Sequence, residues 1–135
     1  LLRYRTHDLS RLLPGKCSCG LAMPRHDRIL GRSDDMIIYR GVNIYPGQLM
    51  EVIGQFAELG GEYQVELTRD ERSLDHLALT VERGQGQTAG NDAALAHELE
   101  TRLHKAIMAR VSVSVADYAS LPRTFSKSKR VVDKR

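Results

Sequence analysis

Three stretches of the chain carry residue types whose spacing suits chemistry better than packing. In Tyr4-Arg5-Thr6-His7-Asp8-Leu9 a carboxylate closes a short strand-like run. A carboxylate accepts through two oxygens and can hold two neighbouring hydroxyls, so Asp8 suits a ribose, with a turn-capping Asp as the plainer alternative. In Gly31-Arg32-Ser33-Asp34-Asp35-Met36-Ile37-Ile38-Tyr39-Arg40-Gly41-Val42-Asn43-Ile44-Tyr45-Pro46 an arginine and an acidic pair stand directly before an apolar run. The alternative there is a polar turn held by Asp side chains. In Pro122-Arg123-Thr124-Phe125-Ser126-Lys127-Ser128-Lys129-Arg130 two lysines lie in a basic loop. A lysine ammonium is a mobile point charge that can bridge a carboxylate oxygen and a phosphate as negative charge shifts between them. The alternative is a basic tail that holds nothing. Cys17 and Cys19 are separated by one residue, which lacks the two-residue spacing of zinc sites, and no second Cys pair exists. Two turn thiols are therefore the better reading even with His7 or His26 nearby, and no metal is expected. His97 and His104, seven residues apart, read as an exposed pair on one helix face.

The charge is segregated. The net charge is +3, but residues 1 to 32 hold seven Lys/Arg against two Asp/Glu, residues 33 to 122 seven against fourteen, and residues 123 to 135 six against one. Two basic ends flank an acidic body, which points either to solvated tails or to an anionic partner such as a nucleotide, a coenzyme or a nucleic acid. A length of 135 residues, 41% hydrophobic and 27% charged, describes one globular domain and excludes a disordered or collagen-like chain. No apolar run approaches the roughly 20 residues that cross a bilayer, and two cysteines are too few to staple a secreted scaffold, so a soluble protein of the reducing cytoplasm is expected. The chain opens on Leu1-Leu2 inside a strand-like run, which reads as a piece of something longer.

The elements that must position these residues follow from periodicity. Residues 2 to 30, punctuated by Pro14-Gly15, Gly20 and Pro24, read as a small hairpin subdomain. Met36 to Ile44 reads as a strand. Pro46 then opens a helix with Leu49, Val52, Ile53 and Phe56 on one face, stopped by Gly60-Gly61. Tyr63, Val65 and Leu67, and later Leu77, Leu79 and Val81, alternate with polar residues in two strands, each with one wet face. Asn91 suits the N-cap of a second helix burying Leu95, Leu99, Leu103, Ala106 and Ile107, and Val111, Val113 and Val115 form a last strand. The expected class is α+β: a hairpin subdomain over 1–32, then a split βαββαβ, ferredoxin-like antiparallel sheet over 33–135 with two helices on one face.

The three stretches, in this order around this fold, resemble the AMP-forming adenylate ligases, and Arg40-Gly41-Val42-Asn43-Ile44-Tyr45-Pro46 resembles the phenylacetate-CoA ligase branch most. The resemblance implies a mobile C-terminal (lid) domain, residues 33–135, behind a larger N-terminal domain that is its partner. It implies conversion of an aryl acetate, ATP and coenzyme A into the aryl-acetyl-CoA, AMP and pyrophosphate, with Mg²⁺ accompanying ATP. By the same resemblance Asp8 binds the ribose of ATP, Arg32 lies near the nucleotide, Asp34 is the hinge, Gly41 lets the coenzyme A arm approach, and Lys127 is the catalytic lysine, with Lys129 the fallback. His7 stands where the superfamily usually has glycine, Asn43 where arginine is common, and Ser126 where glycine precedes the lysine. The isolated piece is expected to be inactive, with neither nucleic acid nor membrane as a partner and a homodimer left open. The competing reading is a regulatory small-molecule-binding module on a ferredoxin-like fold. RNA recognition is disfavoured, because the wet strand faces offer Glu, Ser, Thr and Gln in place of aromatic rings.

Overall fold

The structure, a computed structural model, describes residues 3–123 and 130–135; Lys127 and Lys129 lie outside the described residues. The N-terminal segment is a nest of two-residue ladders. β1 (Asp8–Leu9) pairs antiparallel with β4 (Gly31–Arg32), and within that frame β2 (Leu12–Leu13) pairs with β3 (Arg25–His26).

β5 (Ile37–Tyr39) and β6 (Val42–Ile44) form a hairpin of their own, so the single strand expected from Met36 to Ile44 reverses in its middle. Arg40 at φ 48° and Gly41 at φ 79° are both left-handed, the requirement of a tight two-residue hairpin turn. Next comes α1 (Pro46–Ile53), started by proline at its first position and by Gln48, whose Oε1 accepts from the Tyr45 N–H at 2.9 Å. This helix ends at Gly54, earlier than the sequence suggests, and Phe56 enters the core from the turn beyond. Gly60 and Gly61 open β7 (Leu59–Arg69) instead, where a Cβ on Gly60 would come within 2.9 Å of the Arg83 carbonyl oxygen.

β7 runs antiparallel to β8 (Asp75–Arg83), with Tyr63 opposite Val81, Val65 opposite Leu79 and Leu67 opposite Leu77. After α2 (Asp92–Ile107) the chain forms β9 (Ser112–Ala116), and β10 (Val131–Asp133) closes the order of elements. Asn91 does occupy the N-cap of α2 but makes no side-chain cap bond. The first-turn carboxylate of Asp92 is gripped instead by Arg83, Nε to Oδ1 at 2.9 Å and Nη2 to Oδ2 at 2.6 Å. Arg83 also bonds Asp117, so one guanidinium joins the ends of β8 and β9 to the start of α2.

The α+β class holds, and the sheet itself is mixed. Its strand order is β10-β7-β8-β9, with β9 parallel to β8 and β10 parallel to β7. The reason is connectivity: a helical crossover such as α2 returns the chain parallel to the strand it left. The strand expected over 36–44 stands outside this sheet as its own hairpin, and one edge is taken by β10, which sequence periodicity does not reveal. One cluster gathers Leu49, Val52 and Ile53 of α1, Leu99, Leu103 and Ile107 of α2, the inward rows of β7 and β8, and Ile37, Tyr39 and Ile44. Both helices thus cover the same sheet face, although Ala106 lies exposed rather than inward.

Leu79, 1% exposed, belongs to this cluster, and truncating it leaves a cavity there. Leu79→Ala should therefore lower unfolding stability by about 2–5 kcal/mol, read as a shifted urea midpoint with an unchanged slope. Acid should loosen the β10 edge selectively. The Arg135 guanidinium draws the Asp133 carboxyl from 3.8 down to about 2, so its contribution is complete above pH 3.8 and is lost as pH falls through about 2. The Asp133 side chain is 48% exposed, which keeps the effect small. Between pH 4 and 2 the urea midpoint of Asp133→Asn should fall less than that of the parent chain, an arm that a global acid transition would not separate.

Candidate functional site

Asp8 and Arg32 are brought together by the β1–β4 ladder, in which they are direct partners. Two backbone bonds extend the ladder, the Ser33 N–H to the His7 carbonyl and the Leu30 N–H to the Leu9 carbonyl, both at 2.8 Å. From this position the Arg32 guanidinium reaches three carboxylates. It meets Asp34 through both branches, Nε to Oδ1 at 3.0 Å and Nη2 to Oδ2 at 2.7 Å, while Asp35 lies at 3.7 Å and Asp8 at 3.8 Å. A planar fork matched to one carboxylate is the strong form of such a pair. Its hydrogen bonds hold the Asp34 carboxyl below the usual carboxylate range and push the Arg32 guanidinium up. Asp8 touches the fork only at its longest distance, and its carboxylate keeps accepting capacity for hydroxyls.

His7 adopts φ 65°. That left-handed backbone is the one glycine takes without steric cost, which gives a physical reason for the glycine usual at this place in the resembled superfamily. The His7 ring lies 3.4 Å from Ser33 Oγ, so its side chain helps to bridge β1 to the segment after β4.

Gly41 stands away from this cluster, at the tip of the β5–β6 hairpin, and nothing lies within 4 Å of a Cβ built there. Within this chain the glycine is demanded by its positive φ, and the space before it is open. Arg40 fastens the tip to the sheet, its Nε donating to the Asp75 carbonyl at 2.8 Å. Between the 34–38 segment and β10 lies a cavity of about 280 Å³, lined by Asp34, Asp35, Met36, Val131, Asp133 and Arg135 among others.

The segments on either side of residues 124–129 are anchored by groups that sequence patterning does not single out. Glu82 is 1% exposed. Its Oε1 accepts from the Leu121 N–H at 2.6 Å, and its Oε2 from the Ala119 N–H at 3.1 Å and from Arg123 Nη2 at 2.9 Å. On the far side Arg130 donates through Nη2 to both Glu62 oxygens at 3.1 and 3.0 Å and lies over the Tyr63 ring, 5.0 Å from its centroid. Strand alternation placed Glu82 on a wet face with Ala78 and Thr80. The crossing of residues 117–123 buries it, and the nearest sequence cue is the arginine that follows Pro122.

Cys17 and Cys19 are free thiols 2.8 Å apart in a turn, and the hydrogen bond from Cys19 lowers the Cys17 thiol. Among the described residues no three His, Cys, Asp or Glu side chains gather to hold a metal ion, and His97 and His104 are exposed on α2. No helix among the described residues is long and apolar enough to cross a membrane.

Residues 41–135 match the model of the AMP-binding enzyme C-terminal domain. The chain is 41% identical over 138 residues to the phenylacetate-coenzyme A ligase of Escherichia coli (strain K12), an alignment that covers all of this chain and 31% of that protein. A solved domain of phenylacetate-coenzyme A ligase from Bacteroides vulgatus is 38% identical with a TM-score of 0.66, covering 76% of this chain and 94% of that one. The 2-hydroxyisobutyryl-CoA ligase, 34% identical, superposes with a TM-score of 0.77 in its postadenylation state with a bound adenylate, over 96% of this chain and 28% of the ligase. The same ligase with adenylate and CoA in its thioesterification state scores 0.65 over 95% of this chain and 27% of the ligase. The chain spans about a third of the E. coli ligase's length. It belongs to the AMP-binding enzyme C-terminal domain family.

Proposed function

We propose that the chain is the C-terminal part of an ATP-dependent phenylacetate-CoA ligase, with residues 1–32 as a hairpin subdomain carrying Asp8 and residues 33–135 as a mobile lid. The observation that carries the reading is the Arg32 fork. It holds the hinge residue Asp34 beside Asp8, so ribose-binding and hinge functions share one ion-pair cluster. The kinship with phenylacetate-CoA ligases along the whole chain supports the substrate class.

In the first half-reaction a carboxylate oxygen of the acid attacks the α-phosphorus of ATP and pyrophosphate leaves. Asp8 would hold the ribose hydroxyls, Arg32 would stand near the nucleotide, and the Lys127 ammonium would offset the charge gathering between carboxylate and phosphate. Rotation about Asp34 would then withdraw Lys127 and present the Gly41 hairpin. The thiol of coenzyme A would attack the acyl carbonyl, forming the thioester and expelling AMP. The better match to the postadenylation than to the thioesterification state of one and the same ligase supports a rearrangement of this region between the two states, since both carry the same sequence.

Mg²⁺ would enter with ATP and neutralise polyphosphate charge. The acid pocket would belong to the N-terminal domain, the partner of this lid, so the piece alone would not turn over. We place the ligase in the reducing cytoplasm, in keeping with the free thiols of Cys17 and Cys19.

In the intact ligase Lys127→Ala should collapse ATP–pyrophosphate exchange in the presence of phenylacetate, on the order of 10²-fold or more, while thioester formation from supplied phenylacetyl-adenylate survives. Unchanged exchange would transfer the role to Lys129 or overturn the ligase reading. Gly41→Ala should give the reverse pattern, slowing thioester formation and sparing exchange, because it changes the hairpin tip alone.

A further inference from the structure

The proposed chemistry leaves Glu82 without a part, although it is the one charged residue among the described residues that is fully buried. Burying a carboxylate is costly unless its oxygens are satisfied, and here both are: by the backbone N–H groups of Ala119 and Leu121 and by the Arg123 guanidinium. These three donors belong to the segment that leads from β9 toward Lys127, which lies four residues after Arg123. We infer that Glu82 is a positioning residue for adenylation, holding residues 119–123, the stretch that leads in sequence toward Lys127, while Arg130 with Glu62 and Tyr63 holds the start of β10. The role presupposes Lys127 as the adenylation lysine.

Three features single out this function from plain structural support. First, the anchor is built for backbone: two of its three bonds hold main-chain N–H groups, so it sets the path of the segment and not merely a side chain. Second, a neutral isostere cannot replace it. A glutamine keeps one acceptor oxygen and turns an NH₂ group toward the donors left at the other position. Third, Glu82 lies at the far end of β8 from Asp75, which holds the Gly41 hairpin tip through Arg40. Seven residues of strand, about 23 Å at ~3.3 Å per residue, separate the two ends. Loosening the Glu82 anchor therefore leaves the thioester-forming face in place.

The test compares wild type, Lys127→Ala, Glu82→Gln and Arg123→Ala in the intact ligase. Each is assayed for ATP–pyrophosphate exchange with phenylacetate and, separately, for thioester formation from phenylacetyl-adenylate and coenzyme A. Glu82→Gln should lower exchange on the order of 10²-fold, the loss expected of an ångström-scale misplacement, with thioester formation unchanged. Arg123→Ala, which removes one of the three contacts at a half-exposed side chain, should lower exchange less and in the same selective way. Should Glu82→Gln fail to fold, Arg123→Ala decides alone. The inference is overturned if both variants exchange like wild type while Lys127→Ala does not. It is equally overturned if both half-reactions fall together with the melting temperature, the mark of general destabilisation. Exchange that survives Lys127→Ala overturns the ligase reading of the lysine itself and takes the anchor's role with it.

Discussion

One wall of the β7–β8 hairpin must be kept from water, and the rest of the structure is arranged around that requirement. Val65, Leu67, Leu79 and Val81 are at most 1% exposed. A two-stranded hairpin is marginal by itself, so the apolar wall recruits α1 and α2 across its face, and β10 and β9 cover its two open edges. Stability and placement become the same matter, because each added element also brings a chemical group to a fixed point on the hairpin. The Asp75 end receives Arg40 from the β5–β6 tip and Arg135 from beyond β10. The Glu82–Arg83 end receives Arg123, Asp92 and Asp117.

Charge segregation along the chain acquires a second meaning in this frame. The basic C-terminal stretch looks like a site for an outside anion, yet four of its six cations face carboxylates of the acidic body: Arg123 meets Glu82, Arg130 meets Glu62, Lys134 meets Glu66 and Arg135 meets Asp75. The other two are Lys127 and Lys129. The opposed charges therefore dock the end of the chain onto its own sheet, and Lys127 and Lys129 fall in sequence between two paired arginines. Arg123 and Arg130 suit those flanking posts because a planar fork can engage two acceptors and stack on a ring at once, as Arg130 does with Glu62 and Tyr63.

How much of this could be read from sequence depends on whether the signal is local. The two helices and the β7–β8 pair announce themselves because 3.6-residue and two-residue periodicities are properties of consecutive residues. Strand direction is not such a property, so the parallel edges were invisible, and β10 offers only Val131, Val132 and Asp133 among cations. The turn at Arg40-Gly41 was hidden by an apolar run that continues on both sides of it. Sequence shows Asp8 in one motif and Arg32 with Asp34 in another; that the three form one cluster follows only from the β1–β4 register. The burial of Glu82 is hidden from the sequence for a physical reason. Alternation does put it on the outer face of β8, and a segment some 40 residues later in the chain covers it.

Under the hinge proposed at Asp34, the Arg32–Asp34 pair shows what such a joint requires. For a lid proposed to swing about Asp34, the hinge carboxylate cannot be locked, yet each orientation must be defined well enough to bring different residues to the same pocket. A two-branched contact defines geometry sharply. Its side chains are 43% and 42% exposed, however, so water can solvate both groups once they part. The contact can thus orient the lid without holding it. Asp8 and Asp35 stand at 3.8 and 3.7 Å from the same guanidinium, where they would share it in the proposed rotation. A nucleotide phosphate arriving near Arg32 would compete for the same donors, and a ligand shifts a two-state equilibrium only through such differential contacts. On this reading the coupling between nucleotide and lid needs no distant relay, because the arginine that would meet the nucleotide is the one that holds the hinge.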